Sequence, residues 1–267
     1  MIKLIVSDID GTLVPEGTND INPEIFSLIR QLKSKGIYFA VASGRHKCSV
    51  EKLFEPVQND IFYITSNGAY AGTYDKKLIV SDISKEIQKT LRSNFEDDLK
   101  LPYIIETCNA AYTNCPDPEF TRILTDGYGY QITPYHSVDE ITEDIIKFSL
   151  YHPENVSEID ETWHKKWNKI CKSSVSGTHW IDFMAEGTNK GNALAQLQEG
   201  LGITIQETIA FGDHINDIEM LKQAYFSFAM ENSSCVVKNA ARFVCESCEN
   251  DGVVQMIRSI IKNSFSN

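Results

Sequence analysis

Short apolar runs alternate with amphipathic segments at both ends of the chain. Runs of this kind are typical of strands that are buried on both faces of a sheet. They lie at residues 4–6, 37–42, 61–65, 208–211 and 226–229. Between them, apolar positions recur at helical spacing, and helices are predicted over 24–35, 48–54, 217–223 and 253–261. This alternation predicts an α/β fold with a Rossmann-like parallel sheet and helices on both faces.

The middle of the chain has a longer-spaced and more polar pattern. Helices are predicted there over 83–99 and 153–167, and strands over 103–106, 111–113 and 148–151. A closing hairpin is predicted from segments 169–175 and 180–185, with its turn at Ser176-Gly177. We therefore expect an inserted α+β domain over 83–186, within a core domain made of 1–82 and 187–267.

The net charge of the chain indicates which classes of partner it is suited to bind. The chain has 25 lysine and arginine residues against 37 aspartate and glutamate residues, a formal net charge of −12. This sign disfavours nucleic acid or an anionic membrane as a partner. Apolar runs stay short of the ~20 residues that a transmembrane helix needs, and Asp8 interrupts the first run too early for a signal peptide. We expect a cytoplasmic monomer.

The seven cysteines are scattered and odd in number, which is typical of reduced thiols. Cys245 and Cys248 have the spacing of half a zinc site, but no second pair accompanies them. We interpret them as ordinary thiols.

Polar and ionisable residues follow the predicted core strands. In open α/β sheets, ligands bind beyond the carboxyl ends of the strands. Residues at these ends are therefore the candidates for a common site, together with Lys190, which begins the helix where the chain re-enters the core. The strand-end candidates are Asp8, Asp10, Ser43, Arg45, Asn67, Gly68, Asp213, Asn216 and Asp217.

Four of these candidates are aspartates, Asp8, Asp10, Asp213 and Asp217, at only two strand ends. Like charges so close together do not all stay ionised without a counterion. A hard cation with oxygen ligands resolves the conflict, and Mg²⁺ is the usual choice beside phosphate. Any one of these aspartates taken alone would more simply cap a helix or shape a turn. Their number, together with Lys190 and Ser43, favours a site.

The ordered set of motifs resembles the haloacid dehalogenase (HAD) superfamily. The four matching segments are Asp8-Ile9-Asp10-Gly11-Thr12, Ser43-Gly44-Arg45, Lys190 and Gly212-Asp213-His214-Ile215-Asn216-Asp217. The insertion falls between the second and third motifs, a placement that resembles the type IIB cap of the Cof-type sugar-phosphate phosphatases. The resemblance implies a HAD-like core with a cap that sets substrate selectivity.

The resemblance also implies a role for each motif residue. Asp8 would be the nucleophile, and Asp10 the general acid that later activates water. Mg²⁺ would be held by Asp8, the backbone carbonyl of Asp10 and Asp213, with Asp217 in support. The phosphoryl oxygens would be held by Ser43, Lys190 and Asn216.

We therefore expect a Mg²⁺-dependent phosphatase that acts on a small phosphorylated metabolite, a sugar phosphate above all. A phosphomutase of the same superfamily would use the same motifs. A metabolite-binding regulator without turnover is the second alternative, although the four motifs are intact. Arg45, Asn67 and Gly68 are candidate substrate contacts. Arg45 would equally pair with an acid, and Asn67-Gly68 would equally make a tight turn.

Overall fold

The computed structural model describes residues 1–127, 129–176 and 178–263. The chain forms two compact units. The first contains Met1–Arg45, Val50–Ile79 and the described residues of Asn189–Asn267. The second contains His46–Ser49 and the described residues of Val80–Thr188. The predicted junctions at 82/83 and 186/187 lie close to these boundaries, and the assignment of catalysis and selectivity to separate domains stays a prediction.

Strands and short helices make up most of the described chain. In chain order, the strands are β1 Leu4–Ser7, β2 Tyr38–Ala42, β3 Phe62–Thr65, β4 Tyr70–Gly72, β5 Lys77–Val80, β6 Tyr103–Glu106, β7 Ala111–Thr113, β8 Ile132–Pro134, β9 Lys147–Tyr151, β10 Lys172–Ser176, β11 Trp180–Met184, β12 Thr208–Gly212, β13 Phe226–Met230 and β14 Phe243–Cys245. The α-helices are α1 Glu24–Ser34, α2 Lys47–Leu53, α3 Lys85–Ser93, α4 Pro118–Arg122, α5 Glu161–Trp167, α6 Lys190–Leu201, α7 Ile218–Lys222, α8 Cys235–Ala240 and α9 Gly252–Asn263.

The first unit is built on an eight-stranded sheet in the order β14-β13-β12-β1-β2-β3-β4-β5. The six strands from β14 to β3 are parallel, which confirms the predicted α/β class. One edge of the sheet departs from the predicted parallel arrangement, because β4 runs antiparallel to β3. A tight turn at Ser66–Gly68 reverses the chain between these two strands.

Strands β1 and β12, at the centre of this sheet, are buried along their whole length. Val6 lies opposite Ala40 of β2 on one side and Ala210 of β12 on the other. This register brings the carboxyl ends of β1, β2 and β12 to the same level of the sheet. The residues that follow the three strands therefore emerge at a common edge.

The second unit has a six-stranded sheet in the order β10-β11-β9-β6-β7-β8. Its strands pair antiparallel except for β7 and β8, which are parallel. One core of this unit is rich in aromatic side chains, with Phe95, Phe148, Trp167 and Phe183 buried together. Such a sheet with short helices agrees with the predicted α+β character of the middle segment.

The predicted helix over 153–167 is correct only for 161–167. The segment instead contains a single 3₁₀ turn at Val156–Glu158 and the separate helix α5. Asn155 caps the turn through the backbone N–H of Ser157, and Asp160 caps α5 through the backbone N–H of Thr162. Two helix starts so close together leave Ile159 between them in an extended conformation.

Two other predictions for this unit need smaller changes. The helix predicted over 83–99 is α3 followed by a π-helical turn at Asn94–Leu99. The hairpin strands β10 and β11 pair as expected, with Ser176 opposite Trp180, while Gly177 of the predicted turn lies outside the described residues. Within the described part of the chain, no helix has the length and apolar character to span a bilayer.

Candidate active site

Asp8 and Lys190 form the centre of the site. Asp8 follows β1, and its backbone N–H donates to the carbonyl of Phe211 in β12 at 3.0 Å. The ammonium of Lys190 lies 2.6 Å from Oδ1 of Asp8 and 2.6 Å from Oδ1 of Asp217. Asp8 is 4 % exposed and Lys190 is 1 % exposed, so the three charges interact with little screening by water.

Local sequence explains why Lys190 reaches this point. Asn189 caps α6, since its side chain accepts a hydrogen bond from the backbone N–H of Asn192 at 2.8 Å. Lys190 is therefore the first residue of the helix. Its backbone lies against Gly68, where a Cβ atom would overlap the carbonyl of Asn189.

Asp213 completes a cluster of three carboxylates. Asp8, Asp213 and Asp217 each offer an oxygen within 4.8 Å of the other two. The hydroxyl of Thr12 donates to Oδ1 of Asp213 at 2.8 Å. Gly11 has a φ of +76°, and a Cβ atom there would overlap the Asp213 carboxylate. Glycine thus permits both the turn and the close approach of the loop after β1.

The charges of this cluster are only partly balanced. Burial raises the pKa of Asp8 well above its usual range, the charge of Asp217 raises it further, and Lys190 opposes both. Burial and the charge of Asp217 raise the pKa of Asp213 to about 6. Burial alone would lower the pKa of Lys190, but the charges of Asp217 and Asp8 outweigh it and raise the pKa. One ammonium is too little positive charge for three carboxylates.

A divalent cation fits this donor set. The oxygens are hard ligands and they converge, and burial together with the charge of Asp217 raises the pKa values of Asp8 and Asp213, so added positive charge would stabilise their carboxylate forms. Asp217 has both oxygens engaged, Oδ1 by Lys190 and Oδ2 by the backbone N–H groups of Asp213 and His214 at 3.0 Å each. Asp8 and Asp213 are therefore the better direct ligands, and Asp217 is placed to support them.

Arg45 lies on Asp10. Its Nε is 2.9 Å from Oδ2 of Asp10, and one terminal nitrogen is 2.6 Å from Oδ1, a bidentate ion pair. The same guanidinium donates to the carbonyl of Thr18 and to Oδ1 of Asn19, at 2.6 Å each. The sequence allowed Arg45 to contact substrate or to pair with an acid, and in the structure it pairs with Asp10. The contacts of Arg45 with Thr18 and Asn19 could not be predicted from the sequence, because the loop over 15–22 has no periodic pattern.

Hydrogen bonds link three further predicted residues, Ser43, Asn67 and Asn216. Ser43 is buried, and its hydroxyl accepts a hydrogen bond from the backbone N–H of Arg45 at 3.1 Å. Asn216 donates from Nδ2 to Oδ1 of Asn67 at 3.0 Å. The backbone N–H of Asn67 in turn donates to the carbonyl of Ser43 at 3.0 Å. Residues from three different strand ends are thereby linked.

Sequence reasoning missed Asn232, which connects to the loop of the predicted nucleophile. Its Nδ2 donates to the carbonyl of Gly11 at 2.9 Å, and its Oδ1 accepts from the backbone N–H of Cys248 at 3.2 Å. Asn232 lies two residues beyond β13. Its place just past the carboxyl end of a parallel strand is the sequence signal that points to it.

The raised pKa of Asp213 predicts how pH affects the stability of the metal-free protein. A carboxyl group whose pKa is about 6 when folded and 3.8 when unfolded stabilises the fold below about pH 4. That contribution is lost as the pH rises through 6. We expect the free energy of unfolding of the wild type, measured in urea with EDTA and taken relative to Asp213→Asn, to fall over this range. A relative free energy that rises or stays constant would contradict the charge deficit.

Known proteins resemble this chain over nearly all of its length. A family model described as haloacid dehalogenase-like hydrolase matches residues 5–257. The chain is 30% identical over 263 residues to the 5-amino-6-(5-phospho-D-ribitylamino)uracil phosphatase YbjI of Escherichia coli (strain K12), covering 98% of this chain and 97% of that protein. It is 28% identical over 264 residues to the phosphatase YcsE of Bacillus subtilis (strain 168), which has the same description, covering 96% and 95%.

Solved structures agree over a similar length. A structure from Eubacterium rectale superposes with a TM-score of 0.89 at 34% identity, covering 97% of this chain and 99% of that one. The HAD subclass IIB sugar phosphatase BT4131 superposes with a TM-score of 0.81 at 28% identity, covering 97% and 98%. The likeness therefore includes both units of this chain.

Proposed function

Because the chain belongs to the haloacid dehalogenase-like hydrolases and is a phosphoric monoester hydrolase of that family, we propose that it is a Mg²⁺-dependent phosphatase for a small, hydroxyl-rich phosphate ester. The observation that carries this proposal is the buried contact of Lys190 with Asp8 and Asp217, beside Asp213. A nucleophile, a fixed cation and a set of hard oxygen ligands are what phosphoryl transfer requires.

Asp8 is the nucleophile in the proposed mechanism. One of its carboxylate oxygens bonds to phosphorus while the bond from phosphorus to the ester oxygen breaks. The leaving oxygen takes a proton from Asp10. In the second step Asp10 accepts a proton from water, the water oxygen bonds to phosphorus, and the bond to Asp8 breaks. The products are the free alcohol and inorganic phosphate.

Other side chains of the first unit orient the phosphoryl group in this proposal. In the proposal, Lys190, Ser43 and Asn216 offer an ammonium, a hydroxyl and an amide to the phosphoryl oxygens. The burial of Ser43 and Lys190 keeps bulk water from these donors and strengthens their interaction with charge. Arg45 holds both carboxylate oxygens of Asp10, so its proposed role is to orient this carboxylate to take the proton of water in the second step, rather than to bind substrate. In the proposal, one of these two hydrogen bonds gives way when Asp10 carries the proton that it donates in the first step.

Mg²⁺ would be held by Asp8, Asp213 and the backbone carbonyl of Asp10. When bound, it supplies the positive charge that the cluster of carboxylates lacks and that a phosphate ester makes still more necessary. Asp217 would act from behind these ligands, through its hydrogen bonds to the backbone N–H groups of Asp213 and His214. Its second oxygen keeps Lys190 in place.

Selectivity is assigned in this proposal to the second unit. That unit has a cavity of about 90 Å³, with Ser49, Asn109, Tyr130, Gln131 and Thr133 among its lining residues. The hydroxyl and amide groups among these residues are able to hydrogen-bond the hydroxyls of a polyol or sugar. The two phosphatase relatives are named for a ribityl phosphate, which is also rich in hydroxyl groups. Sugar phosphates and ribityl phosphates are thus the substrates to test.

Phosphate release from a panel of esters tests the proposed function. The panel contains hexose phosphates, pentose phosphates, 5-amino-6-(5-phospho-D-ribitylamino)uracil and p-nitrophenyl phosphate, each with Mg²⁺ or with EDTA. We expect release that depends on Mg²⁺ and a higher kcat/KM for the hydroxyl-rich esters than for p-nitrophenyl phosphate. Isomerised sugar phosphate without free phosphate would indicate a phosphomutase instead. Absence of both products would favour a metabolite-binding regulator.

A further inference from the structure

The turn between β3 and β4 has an unusual backbone. Ser66, Asn67 and Gly68 have φ values of +49°, +56° and +93° in succession. The left-handed region is disfavoured for residues with a Cβ atom, so Ser66 and Asn67 occupy it at a cost in energy. The strained residues are also buried, with Asn67 only 3 % exposed. Strain of this kind persists where the surrounding structure holds it, often beside a functional site.

Backbone hydrogen bonds lock this turn onto the loop after β2. The backbone N–H of Ser66 donates to the carbonyl of Arg45 at 2.9 Å, and that of Asn67 donates to the carbonyl of Ser43 at 3.0 Å. On the other side of the turn, Gly68 lies so close to Asn189 that a Cβ atom would overlap its carbonyl. The turn is therefore held between the segments that carry Ser43 and Lys190.

The side chain of Asn67 contacts a third segment of the proposed phosphate site, which consists of Ser43, Lys190 and Asn216. Its Oδ1 accepts a hydrogen bond from Nδ2 of Asn216 at 3.0 Å. A Cβ atom on Gly44 would lie only 3.2 Å from the same oxygen, so glycine at position 44 avoids a close contact with the Asn67 carboxamide. The Asn216 amide has two N–H bonds, and this contact uses one of them.

We propose that Asn67 is a positioning residue, whose carboxamide orients Asn216 so that the second N–H of Asn216 faces a phosphoryl oxygen. The strained turn fixes the carboxamide relative to Ser43 and Lys190. Asn67 thus acts on the substrate through Asn216 rather than by direct contact. This inference rests on the proposed phosphatase function, because it deepens the phosphoryl-binding role assigned there to Asn216.

The competing explanation is that asparagine is present only because it tolerates a left-handed backbone. Glycine tolerates that backbone better, so Asn67→Gly separates the two explanations. It removes the carboxamide while it relaxes the turn, and we expect no loss in the midpoint of urea unfolding. Lys100→Gly is the matched control, because Lys100 is exposed, lies in the second unit and has a φ of +54°. The control is expected to leave turnover unchanged.

Two readouts follow the effect at the phosphate site. We expect Asn67→Gly to lower kcat/KM by about 10- to 100-fold, the usual range when a group that orients a functional residue is removed. We also expect weaker binding of inorganic phosphate in the presence of Mg²⁺, measured by isothermal titration calorimetry. The Mg²⁺ concentration at which Mg²⁺ itself is half-maximally bound, measured without phosphate, should not change, since Asn67 is not among the proposed metal ligands.

A double-mutant cycle tests whether Asn67 works through Asn216. Asn67→Gly is compared in the wild type and in an Asn216→Ala background, by kcat/KM and by phosphate affinity. Once Asn216 is truncated, we expect Asn67→Gly to change either quantity by less than about twofold, because coupled residues are not additive. Equal losses in the two backgrounds would overturn the proposal.

The same measurements separate this proposal from the proposed function. A wild type that hydrolyses the panel, with an Asn67→Gly variant of unchanged kcat/KM and phosphate affinity, contradicts the positioning role alone. A wild type that neither hydrolyses the panel nor binds phosphate contradicts both. A wild type that binds phosphate without turnover contradicts the phosphatase, and the cycle in phosphate affinity still decides the role of Asn67.

Discussion

Asp8→Asn is expected to abolish phosphate release in a chain that remains folded. An amide at this position cannot form the bond to phosphorus, so we expect the rate to fall by at least about 10⁴-fold, as for other removed nucleophiles. Folding should not suffer. Burial and the charge of Asp217 disfavour the charged form of Asp8, so a neutral group of the same shape relieves that repulsion in the metal-free protein.

The measurement is phosphate release with Mg²⁺, together with urea unfolding in EDTA. Asp75→Asn is the control for the same chemical change, because Asp75 is exposed. This control should keep the wild-type rate. Retention of more than about 0.01% of the wild-type rate in Asp8→Asn would contradict the nucleophilic role.

Lys190→Met is expected to lower both stability and activity. Methionine has nearly the same length but no charge, so Asp8 and Asp217 lose the ammonium that lies 2.6 Å from each. Removing one member of a buried ion pair typically costs about 3–5 kcal/mol, because the other charges stay buried. The rate should fall by at least about 100-fold, since the same ammonium would offset the charge that develops on the phosphoryl group.

Urea unfolding near neutral pH, in EDTA, measures the loss of stability. Lys165→Met is the contrasting control, because Lys165 pairs with Glu161 at 3.3 Å on an exposed helix surface, where an ion pair adds little. Adding Asp217→Asn to Lys190→Met should restore part of the stability without restoring turnover. A Lys190→Met chain as stable as the wild type would show that Lys190 does not balance the carboxylates.

The central charges of the site were predictable from the sequence for a physical reason. Parallel strands place their carboxyl ends at one edge, so the strand pattern predicts that Asp8 and Asp213 lie together if their strands are neighbours, and the structure pairs β1 with β12. Lys190 was predictable from its place at the start of a helix that returns to the same sheet. Their functional roles stay proposals until they are tested.

Contacts that depend on loop conformation were not predictable. Arg45 reaches Asp10 with support from Thr18 and Asn19, which lie in a loop without periodicity. The left-handed turn that links Asn67 to Asn216 depends on three successive φ values, and a Ser-Asn-Gly sequence alone is compatible with several turns. These contacts could not be predicted, because the local sequence allows many loop conformations and tertiary hydrogen bonds select one of them.

The errors in the fold have equally local causes. Strands β4 and β5 were missed because β4 has three residues and follows a reversal, which leaves too short a pattern to read. The single helix predicted over 153–167 is two separate segments in the structure, because Asn155 and Asp160 each cap the start of one. Side-chain caps outweighed the periodicity of the apolar positions there.

The proposed transfer of the phosphoryl group to Asp8 is tested most directly by trapping the labelled protein. The wild-type protein with Mg²⁺ is mixed with the most active ³²P-labelled ester of the panel, quenched in acid within the first turnover, and digested to locate the label. We predict a transient label on the peptide that contains residue 8, released by alkali as an acyl phosphate is, and no label on Asp8→Asn. Release of phosphate without any protein-bound label, or with label on another residue, would contradict the proposed mechanism.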